Sequence, residues 1–181
     1  MEMTQPGCIH YNRMCKIMTP CCGKFYPCQM CHDMVENHCS VKYIIKIVKC
    51  IACNNVQPVK NNCDHCGLVF ASYSCLRCFV LDSNPRGYFH CKECNVCKIG
   101  GRDNYFHCKT CHICLNNRLK DNHMCLVNCG LGCCMLCLTR VCDSVMPIHL
   151  PPCGHVLHEK CFYTLVSNNF PTCIACNSWL N

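Results

Sequence analysis

Ten residues, YFHCKECNVC at 88–97, return almost unchanged as YFHCKTCHIC at 105–114, seventeen residues later. A weaker line, YSCLRCF at 73–79, stands about one period earlier. A unit of this length cannot bury a face of its own and becomes stable only when stacked on its neighbours and fastened to them. The residues that recur are Cys and His, so the fastening is written in those side chains. Cys supplies 29 of the 181 residues, about 16%, far above the level that marks a Cys-scaffolded chain. With seven Phe, seven Tyr and a single Trp, one large hydrophobic core is excluded. Pieces of about 40–60 residues then need disulfides or metal ions to hold their shape.

The compartment decides which. The opening MEMTQPGCIHYNR has no basic start followed by an apolar run, so the expectation is a chain without a secretory leader. The longest apolar stretches, VKYIIKIVKC and LGCCMLCL, are too short or too broken by Lys to span a bilayer, so no membrane partner is expected. Thiols in the reducing cytosol or nucleus stay reduced, and Cys pairs two residues apart among 11 His then read as zinc sites. An odd number of Cys fits complete disulfide pairing poorly. The formal charge of +7 suggests nucleic acid, but bound thiols are deprotonated. Some eight zinc ions on about 24 thiolates would bring the charge to roughly −1. No basic run or stripe is present, so nucleic-acid binding is the minor reading.

The donor spacing divides the chain into three blocks, 1–70, 71–127 and 128–181. The expected fold class is a string of small zinc-stabilised modules with little regular secondary structure. The first block offers nine donors ahead of residue 39: Cys8, His10, Cys15, Cys21, Cys22, Cys28, Cys31, His32 and His38. Two tetrahedral ions use eight of them, and spacing alone does not say which one is left over. Val41, Tyr43, Ile45 and Ile47 alternate along one side of an expected strand that delivers Cys50. Cys50, Cys53, Cys63 and Cys66 then form C-x2-C-x9-C-x2-C, two knuckles facing one ion. His65, inside the second knuckle, reads as a bystander, and Cys39 as a free thiol.

The second block holds Cys75, Cys78, His90, Cys91, Cys94, Cys97, His107, Cys108, Cys111, Cys114, His123 and Cys125. Twelve donors suffice for three ions shared between neighbouring repeats, a ladder of short turns with Tyr88, Phe89, Tyr105 and Phe106 packed between rungs. The third block reads Cys134-x2-Cys137-x15-Cys153-x-His155-x2-His158-x2-Cys161-x11-Cys173-x2-Cys176. The order C-C-C-H-H-C-C-C is the signature of a RING domain with two histidines.

Taken together, CIHYNRMC…PCCGKFYPCQMCHD, YFHCKECNVCKIG with YFHCKTCHICL, and LPPCGHVLHEKCF resemble the ubiquitin ligases that carry a CHY zinc finger, a CTCHY finger and a RING. The resemblance covers nearly the whole length. It implies a CHY finger with about three zinc ions, a CTCHY zinc spiral with about three, and a cross-braced, ββα-like RING with two. It also implies that Cys134, Cys137, His158 and Cys161 share one RING ion, while Cys153, His155, Cys173 and Cys176 share the other. Three departures stand out: Phe79 where a His is expected, Ile174 where Pro is common, and Asn177 where many RINGs place Arg. The chain stops five residues past Cys176, where animal members continue into a further zinc-binding domain. Their particular substrates are therefore not expected to carry over.

The resemblance implies a RING-type ubiquitin transferase with no covalent intermediate of its own. Such a protein docks a ubiquitin-charged conjugating enzyme on a shallow apolar patch, here Leu136, Leu165 and Ile174, and brings a substrate lysine near. The alternative is a non-catalytic zinc adaptor. Closed four-donor sites leave no position to activate water, which argues against hydrolase chemistry. Cys39, Cys129, Cys133 and Cys142 stand outside the expected sites, and none has the poised His and acid of an activated nucleophile.

Overall fold

The computed structural model describes residues 7–38, 45–142 and 144–180. The chain divides into two compact units, Met1–Pro85 and Arg86–Asn181. In both, elements are two to nine residues long and mostly strands, as expected of modules held by Cys and His in place of a large core. Among the described residues, no helix is long and apolar enough to cross a membrane.

The first unit is built on an antiparallel sheet of β1 (Cys15–Met18), β2 (Phe25–Tyr26), β3 (Ile47–Cys50) and β4 (Val56–Pro58), in the order β2-β1-β3-β4. A short helix, α1 (Gln29–Asp33), follows β2. Alternation decides the two faces of the sheet. Cys15, Ile17, Val48 and Cys50 point inward and are buried with Cys63, Phe70, Ala71 and Leu81. Of the alternating series, Ile47 lies on the outer face, half exposed beside buried Val48, whereas Ile45 packs against the inner core. Val41 and Tyr43 lie outside the described residues. A hairpin of β5 (Tyr73–Cys75) and β6 (Val80–Asp82) completes the unit. Buried Asp82 ties it down by accepting from the Asn12 amide at 2.9 Å.

The second unit begins with hairpins β7 (Phe89–Cys91)–β8 (Val96–Lys98) and β9 (Tyr105–Cys108)–β10 (Ile113–Asn116). The register repeats with the sequence: Cys75 faces Val80, Cys91 faces Val96 and Cys108 faces Ile113. Phe89 is buried, its ring centroid 5.7 Å from that of Tyr105 on the next hairpin. The closing part carries β11 (Ile148–His149) paired with β12 (Leu157–His158), then α2 (Glu159–Ser167). This is the ββα arrangement implied by the resemblance.

One hydrophobic cluster runs across residue 127. Ile113 and Leu115 of β10 are fully buried together with Val141, Leu150, Leu157, Leu165 and Leu180. Two further contacts lock the RING part onto the repeats. Gly130 donates its amide to the Cys111 carbonyl at 2.8 Å, and a Cβ on it would meet the Ile113 Cβ at 2.5 Å, so the approach itself requires Gly. Lys98 is buried, and its ammonium donates to the carbonyls of Ser144 at 2.6 Å and Cys142 at 3.3 Å. A buried charge is tolerable only with such partners.

Candidate metal centres

A C-x2-C knuckle must fold back tightly to aim two sulfurs at one point, and the backbone shows how it does so. The residue after the second Cys has a positive φ at Asn54, Gly67, Phe79, Asn95, His112, Leu138 and Asn177. In four of these turns its amide bonds the carbonyl of the first Cys: Asn54 to Cys50, Gly67 to Cys63, Leu138 to Cys134 and Asn177 to Cys173. Gly and Asn take this left-handed conformation readily, whereas Phe79 and Leu138 adopt it at a cost of about 1–2 kcal/mol. The knuckle explains the Asn177 departure locally: the position is first of all a turn position.

In the first unit, Cys8, His10, Cys28 and Cys31 converge, as do Cys21, Cys22, His32 and His38, and Cys50, Cys53, Cys63 and Cys66. Within each group the donor atoms lie within 4.8 Å of one another. Cys15 belongs to neither of the groups formed by the first nine donors. It sits on β1 facing Cys50 across the sheet, buried to 1% exposure, and burial pushes its thiol up to about 12. Cys15 is thus the donor left over, retained by the apolar core. His65 is exposed and outside the four-sulfur group that surrounds it in sequence. Cys39 lies outside the described residues. Cys75 and Cys78 lie on β5 and in its turn.

The second unit shows how the ladder is fastened. Cys91 and Cys94 of one repeat meet His107 and Cys114 of the next. His107 Nδ1 is 3.2 Å from Cys94 Sγ, and Cys94 Sγ is 3.6 Å from Cys114 Sγ. The shift continues one step on: Cys108 Sγ is 3.7 Å from Cys125 Sγ, and His123 Nε2 is 3.7 Å from Cys111 and 3.1 Å from Cys125. Each knuckle therefore completes its donor set with residues from farther along the chain. His90 Nδ1 and Cys97 Sγ face each other at 3.9 Å across β7–β8.

In the RING part, His158 Nδ1 lies 3.3 Å from Cys137 and 4.0 Å from Cys161, whose thiol also neighbours Cys134. Cys153, Cys173 and Cys176 are mutual neighbours. The two sets interleave along the chain, which is the cross-brace.

These groups fit zinc on three observations. Sulfur–sulfur separations of 3.5–3.7 Å recur at Cys53–Cys63, Cys28–Cys31 and Cys50–Cys66. A disulfide is far shorter, at about 2.05 Å, while a tetrahedron with Zn–S near 2.3 Å has edges of about 3.8 Å. Neighbouring thiols also compete for protons: the hydrogen bond from Cys114 holds the Cys94 thiol down at about 5, and the same contact drives Cys114 up. A divalent cation removes that competition by binding both as thiolates. Thirdly, His155 carries a buried Nδ1 with no hydrogen-bond partner among the described atoms, as expected of an imidazole nitrogen reserved for a metal.

Residues 8–73 match the CHY zinc finger family. Over 174 residues the chain is 37% identical to the E3 ubiquitin-protein ligase SRFP1 of Oryza sativa subsp. japonica, covering 94% of this chain and 67% of that protein. It belongs to the CHY zinc-finger family. A second relative, the E3 ubiquitin-protein ligase RZFP34 of Arabidopsis thaliana, is 33% identical over 94% of this chain and 62% of its own length. A RING finger protein of Schizosaccharomyces pombe is 32% identical over 92% of the chain and 40% of its own length. The zinc-finger family and the converging Cys and His groups together support zinc binding by this chain.

Spacing did not expose the groups that orient the donors. His32, fully buried, turns Nε2 toward Cys21 and His38, at 3.2 Å each, while its Nδ1–H donates to the Asp33 carboxylate at 2.7 Å. His123 is fixed likewise by the Leu119 carbonyl at 2.8 Å. Hydroxyls approach cluster sulfurs at Thr19–Cys22 (3.2 Å), Thr139–Cys137 (3.1 Å) and Ser178–Cys176 (3.4 Å). The last two sit two residues after their Cys, a pattern the sequence does carry. Outer partners of this kind set tautomer and basicity, and removing one typically weakens metal binding about 10–100-fold. Asp33→Ala is expected to shed one zinc ion at a correspondingly lower chelator concentration, read by native mass spectrometry, with the remaining ions retained as in the unsubstituted protein.

The three residues of the expected docking patch part company. Leu136 and Ile174 are 36% and 55% exposed on two different knuckles. Leu165 is 6% exposed and faces the core, because it lies on the inner side of α2 against the shared cluster. Its burial favours core packing, the reading its helical spacing allowed equally with docking. Of the other thiols, Cys133 is exposed, Cys129 half-buried and Cys142 buried. His149 stacks on Phe162 at 3.7 Å and bonds the Leu180 carbonyl, a structural role.

Proposed function

We propose that this chain is a RING-type ubiquitin ligase. It would hold about eight zinc ions, dock a ubiquitin-charged conjugating enzyme on Leu136 and Ile174, and direct ubiquitin to a substrate lysine. The observation that carries the reading is the exposure of these two apolar side chains on rigid knuckles within the RING donor pattern, in a chain whose relatives are named E3 ubiquitin-protein ligases. Leu136 stands between Cys134 and Cys137, and Ile174 directly follows Cys173. A knuckle has almost no interior, so such side chains gain nothing from the fold by being apolar and gain burial only against a partner.

The protein contributes no nucleophile. Its part is restraint: a thioester held in one attack-ready pose reacts faster than a freely tumbling one, since orientation entropy is lost before the chemical step. The donor chemistry suits a reducing compartment, cytosol or nucleus. A second reading, a zinc adaptor without transfer activity, draws on Asn177, which stands in a left-handed turn in place of the Arg common at that position. A reconstituted self-ubiquitination assay with a panel of charged conjugating enzymes separates the two. The ligase discharges at least one of them into ubiquitin chains; an adaptor binds conjugating enzymes and discharges none.

A further inference from the structure

The outer face of the first unit's sheet has a composition that its fold does not use. Registered pairing sets Lys16 directly opposite Lys49, with Val56 next to Lys49 on β4. Met18 pairs with Phe25 alongside, and Ile47 has the same outward parity on β3. Lys16 is exposed, Val56 is 51% exposed, and Met18, Phe25, Ile47 and Lys49 are half-buried. Like charges directly opposite on neighbouring strands destabilise a sheet.

No described carboxylate forms an ion pair with either lysine. The unit's four described carboxylates are engaged elsewhere: Asp33 with His32, Glu36 with Lys24 and Tyr26, Asp64 with Lys60, and buried Asp82 with the Asn12 and Asn84 amides. Among the described residues Lys16 makes no ion pair, and Lys49 Nζ lies over the Phe25 ring, 5.9 Å from its centroid. An apolar strip thus runs beside an uncompensated basic pair.

We propose that this face binds an extended acidic segment of a partner protein, with carboxylates on Lys16 and Lys49 and apolar side chains on Met18, Phe25 and Ile47. An extended peptide alternates its side chains, and acidic residues interspersed with apolar ones match the two chemistries side by side. A polynucleotide fits less well: two lysines neutralise about two phosphates, too few for substantial backbone affinity, and the aliphatic surface has no counterpart on a phosphate chain. Service of this face as a substrate-recruiting surface rests on the ligase reading; the binding itself does not, and its test uses no ubiquitin transfer.

The test titrates the zinc-loaded full chain against a fluorescein-labelled ten-residue peptide alternating Glu with Leu and Phe. Its Gln-for-Glu counterpart and a single-stranded oligouridylate are run in parallel. The acidic peptide binds, the Gln peptide binds at least tenfold more weakly, and the Lys16→Glu/Lys49→Glu double variant loses at least tenfold affinity. The single variant Lys49→Glu sets opposite charges face to face, so its unfolding midpoint rises while peptide binding falls. A purely structural role for the pair cannot move the two readouts in opposite directions. Equal peptide affinity in the variants, or tighter binding of the oligouridylate than of the acidic peptide, overturns the proposal.

Discussion

Stripping the bound zinc is expected to unfold this protein outright, with loss of amide chemical-shift dispersion and of any cooperative thermal transition. Each structural zinc contributes on the order of 10 kcal/mol of folding energy, against a net stability of about 5–15 kcal/mol for a whole domain. The apolar clusters cannot make up such a deficit. The core of the first unit counts the donors Cys50 and Cys63 among its buried members, and that of the second counts Cys108, Cys111, Cys134 and Cys173. Removing zinc therefore opens the core as well as the knuckles. Acid acts through the same donors: thiolates and neutral imidazoles bind metal, and protonation as pH falls releases it. A metal-free chain that kept a sharp unfolding transition and dispersed amide signals would show that burial alone suffices, and the argument from the clusters would fail.

The second large effect separates two leucines that the sequence places in one docking patch. Leu136→Ala is expected to leave the unfolding midpoint and zinc content unchanged, since exposed substitutions are usually worth no more than about 0.5 kcal/mol. Ubiquitin-chain formation should fall roughly 30-fold or more, the loss of a central anchor worth about 2 kcal/mol. Leu165→Ala should do the reverse in stability, costing about 2–5 kcal/mol as a cavity opens beneath α2, with activity following the fraction folded. Chain formation and thermal denaturation measured on both variants check the pair together. Unimpaired transfer by Leu136→Ala removes it from the docking surface, whereas an unchanged midpoint for Leu165→Ala contradicts its placement in the core.

Much of the candidate site was legible because donor chemistry is local. Cys50-x2-Cys53 and Cys134-x2-Cys137 announce two sulfurs aimed at one point whatever the remainder of the chain does, and the seventeen-residue repeat implies sharing between neighbours, as in the set Cys91, Cys94, His107 and Cys114. What stayed hidden depended on orientation. Cys15 has the same side chain as the clustered donors and differs only in facing Cys50 and the apolar layer from inside the sheet. Asp33 reads as an ordinary acidic residue until the buried ring of His32 is seen to donate to it.

The sequence by itself determined where the candidate donors stand and in what order they recur, since a knuckle of four residues encodes its own turn and supplies half a tetrahedron. Only the tertiary structure decided which halves meet, which leucine is buried, and that Gly130 and Lys98 join the RING to the repeat beside it. The physical reason is one of range. Coordination within a knuckle is fixed by covalent spacing, whereas the choice of its partner and the facing of each side chain follow from the packing of segments distant in the chain.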